Sequence, residues 1–245
     1  MWRVATVVGL HDETATARTI TLTLPNWPGH VAGQHVDARL TAPDGYSAVR
    51  SYSIASASNS RNQIEITVER LPNGEVSPYL TQELAVGDQL ELRGPIGRWF
   101  VWSTEQREPI QLIAGGSGIV PLMAMIRSRV ATPTRGNPPF RLLYSVRAPE
   151  AIFYRDDLQA IPSEDSSVVV NYAYTRTAPK DWPRLPGRID KDLILSATWA
   201  SSVAATFYIC GPTGFVESVA DLLGTAGNRR ENIRTERFGP TGERK

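Results

Sequence analysis

A glycine-rich segment, Gly115-Gly116-Ser117-Gly118-Ile119-Val120-Pro121, has the composition of a phosphate-binding turn. It follows an apolar run at residues 110–114, typical of a buried strand, and precedes a helix-like run at 119–130. At such a turn, backbone N–H groups and the positive end of a helix can hold a pyrophosphate. Pro121 falls in the first helical turn, where a missing N–H does no harm, but it replaces the third glycine of the usual dinucleotide fingerprint. Taken alone, the segment is explained equally well as an ordinary strand-to-helix turn.

A second candidate is Arg50-Ser51-Tyr52-Ser53-Ile54-Ala55-Ser56, in the first half of the chain. Strand alternation predicts Arg50 and Tyr52 on one side and Ser51 and Ser53 on the other. An arginine can bind a phosphate through two hydrogen bonds, a tyrosine ring can lie against a flat heterocycle, and a serine hydroxyl can hydrogen-bond a ring nitrogen. By itself, this stretch is better explained as an exposed, serine-rich strand.

Four shorter motifs also contain residue types that bind ligands. They are Gly74-Glu75-Val76-Ser77, Gly94-Pro95-Ile96-Gly97, Cys210-Gly211-Pro212 and Glu236-Arg237-Phe238. The first opens a predicted helix and is therefore a second candidate phosphate site. Cys210 ends a predicted strand, where open α/β sheets bind their ligands, so we expect it to face a cleft. Taken singly, each motif is better explained as a turn or as a small buried cysteine.

Residues 1–103 have the pattern of β-structure, because short alternating runs are separated by Gly, Pro, Asn and Asp. The predicted strands are residues 2–8, 17–24, 34–40, 48–54, 63–70 and 89–93, the first ending at the charged residues His11-Asp12-Glu13. Many short strands with tight turns favour a closed N-terminal antiparallel β-barrel, which leaves no exposed edge. Helical spacing of apolar residues predicts one helix in this half, at residues 75–84.

After a polar stretch at residues 103–108, strands and helices alternate, which predicts an α/β doubly wound parallel sheet. The predicted strands are residues 110–114, 140–145, 168–174 and 205–210, and the predicted helices are 119–130, 152–160 and 214–223. The Pro-rich segments 132–139 and 177–186 are predicted loops. We therefore expect two domains, at residues 1–103 and 109–245.

Composition excludes several classes of protein. With 245 residues, of which 41% are hydrophobic and 21% charged, the chain is long enough for two globular domains and is not of a disordered type. A net charge of +1 argues against a nucleic-acid or membrane-surface role, and no apolar run is long enough to span a membrane. The single cysteine, Cys210, excludes a disulfide framework and a self-contained iron–sulfur cluster, and it favours a reducing, cytoplasmic location. His11, His30 and His35 lack metal-ligand spacing, so no metal site is predicted.

In combination and in this order, the six motifs resemble those of the ferredoxin–NADP⁺ reductase superfamily. The resemblance extends from about Trp2 to Phe238. It implies an N-terminal FAD-binding barrel and a C-terminal nicotinamide-binding domain, with the reacting rings meeting between them. It also implies FAD and either NADPH or NADH as cofactors.

The same resemblance assigns roles on the flavin side. Arg50 resembles the arginine on the flavin pyrophosphate, Tyr52 the tyrosine that packs on the ring, and Ser53 the serine near flavin N5. The other expected flavin-binding positions are Ser51, Gly74, Val76 and Ser77.

On the nicotinamide side, Cys210 resembles the cysteine near nicotinamide C4. Glu236 and Phe238 resemble the acid and the aromatic residue that close over the flavin. The phosphate-loop and strand-end positions expected to bind the dinucleotide are Gly116, Gly118, Pro121, Gly211 and Pro212.

Two features depart from the family pattern. Plant-type members end at the aromatic residue, whereas residues 239–245 follow Phe238 here and can themselves fold over the site. Thr175-Arg176 resembles the Ser-Arg pair that binds the 2′-phosphate of NADP(H), but the Lys-x-Tyr that should follow has no clear match. NADPH is therefore favoured over NADH by this pair alone.

These expectations describe an FAD-dependent oxidoreductase that takes a hydride from NAD(P)H and passes electrons to a separate redox partner. Candidate acceptors in the family are a ferredoxin, a flavodoxin, a heme protein and an oxygenase component. A second interpretation is a flavin-binding electron-relay or regulatory subunit of a larger redox complex, without its own nicotinamide turnover. Ser53, Cys210 and Glu236 together favour the enzyme, and we expect them to be its catalytic residues.

Overall fold

The computed structural model of the chain describes residues 1–42, 44–58, 62–132 and 137–239. Part of the predicted 132–139 loop and residues 240–245 of the tail lie outside these ranges. The chain divides into two units. Unit 1 consists of Met1–Ser103 and Met123–Thr132, and unit 2 consists of Thr104–Leu122 and Pro133–Lys245.

Unit 1 is built on a six-stranded antiparallel sheet with the strand order β4-β3-β6-β1-β2-β5. Its strands are β1 (Trp2–Thr14), β2 (Ala17–Thr23), β3 (His35–Thr41), β4 (Ser47–Ser53), β5 (Gln63–Glu69) and β6 (Gln89–Ile96). The two outer strands meet through a bridge between Ile54 and Ile66. There the Ala55 N–H donates to the Glu65 carbonyl at 2.7 Å. The sheet therefore closes on itself, as the predicted barrel requires.

Strand alternation fills the interior of this barrel. Ile64, Ile66 and Val68 of β5 are at most 1% exposed, as their spacing predicts. Ile20 and Leu22 of β2 lie opposite Ile66 and Ile64 and are fully buried. Burying a side chain of this size contributes about 1.5–3 kcal/mol. A one-residue slip would turn this apolar set to solvent, so the apolar pattern fixes the register of the two strands.

The prediction that the first strand ends at its charged residues is wrong. β1 continues to Thr14 because it forms a hairpin with β2. Asp12 accepts a hydrogen bond from Arg18 across this hairpin at 2.6 Å. The charged side chains therefore lie on the outside of β1 and do not end the strand.

The helix predicted at residues 75–84 is shorter than expected. After a tight turn, the helical residues include a π-helical segment at Tyr79–Glu83. The apolar residues that suggested a helix, Val76, Leu80 and Leu84, are nevertheless at most 3% exposed. The spacing of these residues therefore predicted correctly that they are buried against the barrel core, but it overestimated the length of the helix.

Unit 2 contains a five-stranded parallel sheet with the order β11-β10-β7-β8-β9. Its strands are β7 (Ile110–Gly115), β8 (Phe140–Val146), β9 (Val168–Tyr174), β10 (Thr206–Pro212) and β11 (Ile233–Phe238). The helices are α1 (Ile119–Ala131), which begins in unit 2, and α2 (Arg155–Glu164), α3 (Lys191–Ala197) and α4 (Thr213–Thr225). The strand order reverses between β7 and β10. Doubly wound sheets bind ligands at the carboxyl ends of the strands at such a switch point.

Two elements of unit 2 escape the sequence prediction. α3 is only seven residues long, and its N-cap Asp190 accepts a hydrogen bond from the Leu193 N–H at 2.9 Å. β11 is a charged edge strand that pairs only with β10. Neither shows a long apolar pattern, so neither stands out in the sequence.

The start of the helix predicted at residues 152–160 is wrong. Tyr154 has a left-handed conformation with φ of 54°, which a continuous helix cannot contain. α2 therefore begins at Arg155 and continues to Glu164. Among the described residues, no helix is both long and apolar enough to cross a membrane.

Candidate functional site

The predicted site residues fall into one group in each unit. We call the group in unit 1 the Arg50 site, formed by Arg50, Ser51, Tyr52, Ser53, Gly74, Val76 and Ser77. We call the group in unit 2 the Gly116 site, formed by Gly116, Gly118, Pro121, Thr175, Arg176, Cys210, Gly211, Pro212, Glu236 and Phe238.

The two faces of β4 differ as alternation predicts. Tyr52 packs against the barrel core, and burial raises the pKa of its phenol to about 12, although Arg50 acts in the opposite direction. On the other face, Ser51 Oγ donates to Asp37 Oδ1 at 2.6 Å. Burial raises the pKa of Asp37, but hydrogen bonds from Ser51 and Arg93 outweigh it and leave the pKa below its ordinary value. Tyr52 is therefore held as a neutral ring, and Ser51 is held by an ionised partner.

Arg50 joins β4 to the turn at residues 74–77. Its Nη2 donates to Glu75 Oε2 at 3.0 Å, and its Nη1 donates to the Val49 carbonyl at 2.8 Å. The Arg50 side chain is 51% exposed, so the guanidinium is open to a ligand from solvent. The structure thus brings together the arginine and the Gly-x-x-Ser turn, which lie 24 residues or more apart in the chain.

The turn after Leu71 has room for a glycine only. A Cβ on Gly74 would lie 2.7 Å from Ser77 Oγ and 3.1 Å from the Leu71 carbonyl oxygen. Ser77 Oγ in turn accepts a hydrogen bond from the Leu71 N–H at 3.0 Å. Val76 is 2% exposed and anchors the turn in the core. A fixed turn beside an exposed guanidinium fits a phosphate group.

Sequence reasoning did not assign a role to His35, which lies opposite Ser53 in the register of β3 and β4. Its Nδ1 lies 3.7 Å from where a Cβ on Gly97 would be, so Ser53 and the Gly-Pro-x-Gly motif meet around it. Burial lowers the pKa of His35, although Asp37 acts in the opposite direction. Only the strand register brings His35 to Ser53, and the sequence alone does not give that register.

The turn between β7 and α1 requires glycine at two positions, at Gly116 because of its backbone conformation and at Gly118 because of close packing. Gly116 has φ of +55°, and no described atom lies within 4 Å of the position of a Cβ there. A Cβ on Gly118 would lie 2.1 Å from the Cys210 carbonyl oxygen, so the turn packs directly on β10. Pro121 lies in the first turn of α1, where its missing N–H is tolerated. The open space at Gly116 and the start of α1 fit a pyrophosphate.

Phe215 is a second residue that sequence reasoning missed. A Cβ on either Gly115 or Gly211 would lie 2.7 Å from its ring. The aromatic ring therefore fits only because glycine occupies both strand ends. In the sequence, the only available signal was that glycines stand at the ends of two predicted parallel strands. That signal does not say which side chain fills the space beside them.

Cys210 and Glu236 are register partners on β10 and β11. The predicted strand at residues 205–210 ends too early, because β10 continues to Pro212. Cys210 is accordingly 1% exposed instead of standing at a strand end. Burial and the Glu236 carboxylate raise the pKa of its thiol well above the ordinary value, so the thiol is neutral.

Glu236 is the most perturbed carboxyl group of this site. Burial raises its pKa from 4.5 to about 7, and its Oε2 has no hydrogen-bond partner among the described residues. Burial disfavours the charged form of a carboxyl group and therefore favours its protonated form. Glu236 can therefore hold or release a proton near neutral pH. Phe238, at the end of β11, pairs in register with Pro212 and is 36% exposed.

Thr175 and Arg176 follow the carboxyl end of β9. Their backbone N–H groups donate to the carbonyls of Val146 at 2.8 Å and of Arg147 at 3.0 Å. The backbone is thereby fixed, whereas the Arg176 side chain is exposed. This places an exposed cation at the same edge of the sheet as the Gly116 turn.

The fold and two family models together define an oxidoreductase with an FAD-binding and an NAD-binding domain. Residues 7–101 match the oxidoreductase FAD-binding domain family, and residues 112–221 match the oxidoreductase NAD-binding domain family. The chain belongs to the ferredoxin–NADP⁺ reductase superfamily, whose members here combine an FAD-binding and an NAD-binding domain. The superfamily, the fold class and the two classes of cofactor predicted from the sequence are confirmed.

Curated relatives match most of this chain over about half of their own length. The chain is 27% identical to a flavohemoprotein of Bacillus cereus over 86% of its length, covering 53% of that protein. It is 29% identical to the glycine betaine monooxygenase reductase subunit of Chromohalobacter salexigens over 85% of its length, covering 56% of that subunit. The chain thus spans about half the length of these curated relatives.

A solved structure supports the fold independently. The FAD/NAD-binding domain of nitric oxide dioxygenase from Vibrio cholerae superposes with a TM-score of 0.84 at 24% identity. The match covers 97% of this chain and 99% of that domain. At this identity the likeness establishes the fold.

The raised pKa of Glu236 makes stability depend on pH. The folded chain binds this proton more tightly than the unfolded chain between pH 4.5 and about 7, so the free energy of unfolding should fall as pH rises through that window. Glu236→Gln should remove this part of the decline. We would measure urea unfolding of both proteins at about pH 5 and about pH 8. Glu217→Gln, an exposed glutamate of α4, is the control and should keep the wild-type decline. Parallel pH profiles for Glu236→Gln and wild type would show that the carboxyl group is not perturbed.

Proposed function

We propose that this chain is an FAD-dependent NAD(P)H oxidoreductase that passes electrons to a separate redox partner. One observation carries the proposal: Arg50 meets the Gly74–Ser77 turn, so that charge and a sterically restricted turn form a phosphate site in the FAD-binding unit. We propose residues 1–103 as the flavin domain and residues 109–245 as the nicotinamide domain. A reducing, cytoplasmic setting is part of the proposal.

In the flavin domain, we assign each residue one task. Arg50 neutralises the pyrophosphate, and the Gly74–Ser77 turn lets the backbone approach it, with Val76 and Ser77 fixing the turn. Tyr52, held by the core, offers its ring to a flat heterocycle, and Ser53 offers a hydroxyl to a ring nitrogen. Ser51 orients the strand through Asp37. Two phosphate contacts favour FAD over FMN, which has one phosphate.

In the nicotinamide domain, the turn at Gly116 and Gly118 and the start of α1 hold the pyrophosphate. Pro121 sets the first turn of α1, and Gly211 and Pro212 shape the adjacent end of β10. Thr175 and Arg176 bind the 2′-phosphate of NADPH, because a guanidinium matches a dianionic phosphate better than a ribose hydroxyl.

The residues near the reacting atoms position groups and manage a proton. FAD supplies the capacity to accept two electrons from reduced nicotinamide and to release them singly, and the protein supplies alignment and exclusion of water. Glu236, which titrates near neutral pH, holds or relays a proton. The Ser53 hydroxyl would be available to hydrogen-bond a nitrogen of the bound flavin ring. Packing of Cys210 on the nicotinamide requires the groups that cover the thiol to move, and its alternative role is that of a small buried residue.

For the acceptor, we propose a heme protein or an oxygenase component before a ferredoxin or a flavodoxin. The relatives named as a flavohemoprotein and as a monooxygenase reductase subunit support this order. The alternative function is an electron-relay or regulatory subunit without nicotinamide turnover. Perturbation of Glu236 favours the enzyme, because a relay needs no group that titrates near neutral pH.

The proposal predicts one FAD per chain and no iron in the purified protein. Arg50→Ala should lower FAD affinity about tenfold or more, because a charge-assisted hydrogen bond contributes about 1.5–3 kcal/mol and this one is partly exposed. Cofactor released by heat would be identified by chromatography, and affinity would be measured by flavin fluorescence.

Arg39→Ala is the matched control, because Arg39 forms a comparable ion pair with Glu91 and faces away from Arg50 on the sheet. It should leave FAD affinity unchanged. Release of FMN, or a protein that cannot be loaded with FAD, would contradict the proposal.

NADPH preference is predicted to depend on Arg176. Arg176→Ala should raise KM for NADPH about tenfold, since an exposed charge-assisted contact is lost, and leave KM for NADH nearly unchanged. Steady-state kinetics with both nucleotides would test this, and NADH serves as the internal control. Equal increases in KM for NADPH and NADH would mean that Arg176 acts on the fold and not on the 2′-phosphate.

A further inference from the structure

The Arg50 guanidinium already has an anionic partner. Glu75 Oε2 accepts a hydrogen bond from Arg50 Nη2 at 3.0 Å. The side chains of Arg50 and Glu75 are 51% and 43% exposed, so both groups are open to solvent. The Tyr46 phenol also hydrogen-bonds the Glu75 carboxylate, which raises the pKa of the phenol. Glu75 therefore stands between a cation and a hydroxyl donor.

The position of Glu75 is fixed by its neighbours in the chain. The Gly74 N–H donates to the Leu71 carbonyl at 2.8 Å, and Val76 is 2% exposed in the barrel core. The residues on both sides of Glu75 are therefore held, which keeps Glu75 beside Arg50. A pyrophosphate bound to Arg50 would lie well within a Debye length of the Glu75 carboxylate.

We propose that Glu75 competes with the FAD pyrophosphate for Arg50 and thereby sets the affinity of this chain for FAD. The inference rests on the proposed function. Binding exchanges one charge-assisted hydrogen bond of Arg50 for another, and Tyr46 keeps a hydrogen bond to the released carboxylate. FAD binding must break the hydrogen bond between Arg50 and Glu75, and the Glu75 carboxylate also repels the phosphate. For both reasons, the affinity for FAD is lower than it would be if Glu75 were uncharged.

The test compares FAD affinity in full-length wild type and Glu75→Gln, each stripped of flavin and titrated with FAD while flavin fluorescence is recorded. Glu75→Gln keeps the shape of the side chain and removes its charge. It should bind FAD about three- to tenfold more tightly at low salt, and the difference should shrink as salt screens the charges.

Glu91→Gln is the matched control. Glu91 pairs with Arg39 across β3 and β6, with similar exposure, on the face of β3 opposite to the face that carries Arg50 on β4. Its substitution should leave FAD affinity at the wild-type value. An equal gain in Glu91→Gln would reveal a general charge effect and overturn the proposal.

Unchanged or weaker FAD binding in Glu75→Gln would also overturn it, because Glu75 would then be a bystander or would orient Arg50 for the phosphate. If wild type binds no FAD, the proposed function fails and the inference falls with it. If wild type binds FAD and Glu75→Gln binds it equally, only the inference fails.

Discussion

The close approach of Gly118 to the Cys210 carbonyl, where a Cβ would lie within 2.1 Å of the oxygen, determines the arrangement of the Gly116 site. It packs the turn after β7 against β10 at the point where the strand order reverses. Cys210 in turn pairs in register with Glu236 of β11. The packing of the Gly116 turn on the strand that carries Cys210 therefore depends on one position that must be glycine.

The two proposed phosphate sites differ in their electrostatics. The Gly116 site offers backbone N–H groups at the start of α1, which carry no net charge and need no side-chain partner. The Arg50 site offers a guanidinium whose charge is balanced by Glu75. A charged side chain can change partners, whereas a helix start cannot. This difference makes the flavin site the place where charge substitutions should tune affinity.

Sequence patterns predicted those features that depend on local periodicity. The alternating faces of β4, the apolar strand β7 and the glycine turn before α1 all follow from short-range spacing, and the structure contains each of them. The order of the six motifs along the chain also indicated the superfamily. β11 escaped prediction because its charged residues show no apolar pattern, although it carries Glu236 and Phe238.

Features that depend on pairing between distant strands could not be predicted. Cys210 and Glu236 become neighbours only when β10 pairs with β11, and His35 reaches Ser53 only through the register of β3 and β4. Glu75 stood in a recognised motif, but its contact with Arg50 depends on how the Gly74–Ser77 turn folds against β4. In each case the pairing or packing of segments that are distant in the sequence decides the contact, and local spacing does not reveal it.

In the proposed enzyme, a bound flavin receives electrons from a nicotinamide held by the same chain. Anaerobic stopped-flow mixing of the FAD-loaded protein with NADPH, and separately with NADH, measures this transfer. We expect single-turnover bleaching of the flavin absorbance with at least one nucleotide. Flavin that stays oxidised with both nucleotides, in protein whose FAD content has been verified, would rule out the proposed transfer and favour an electron-relay subunit.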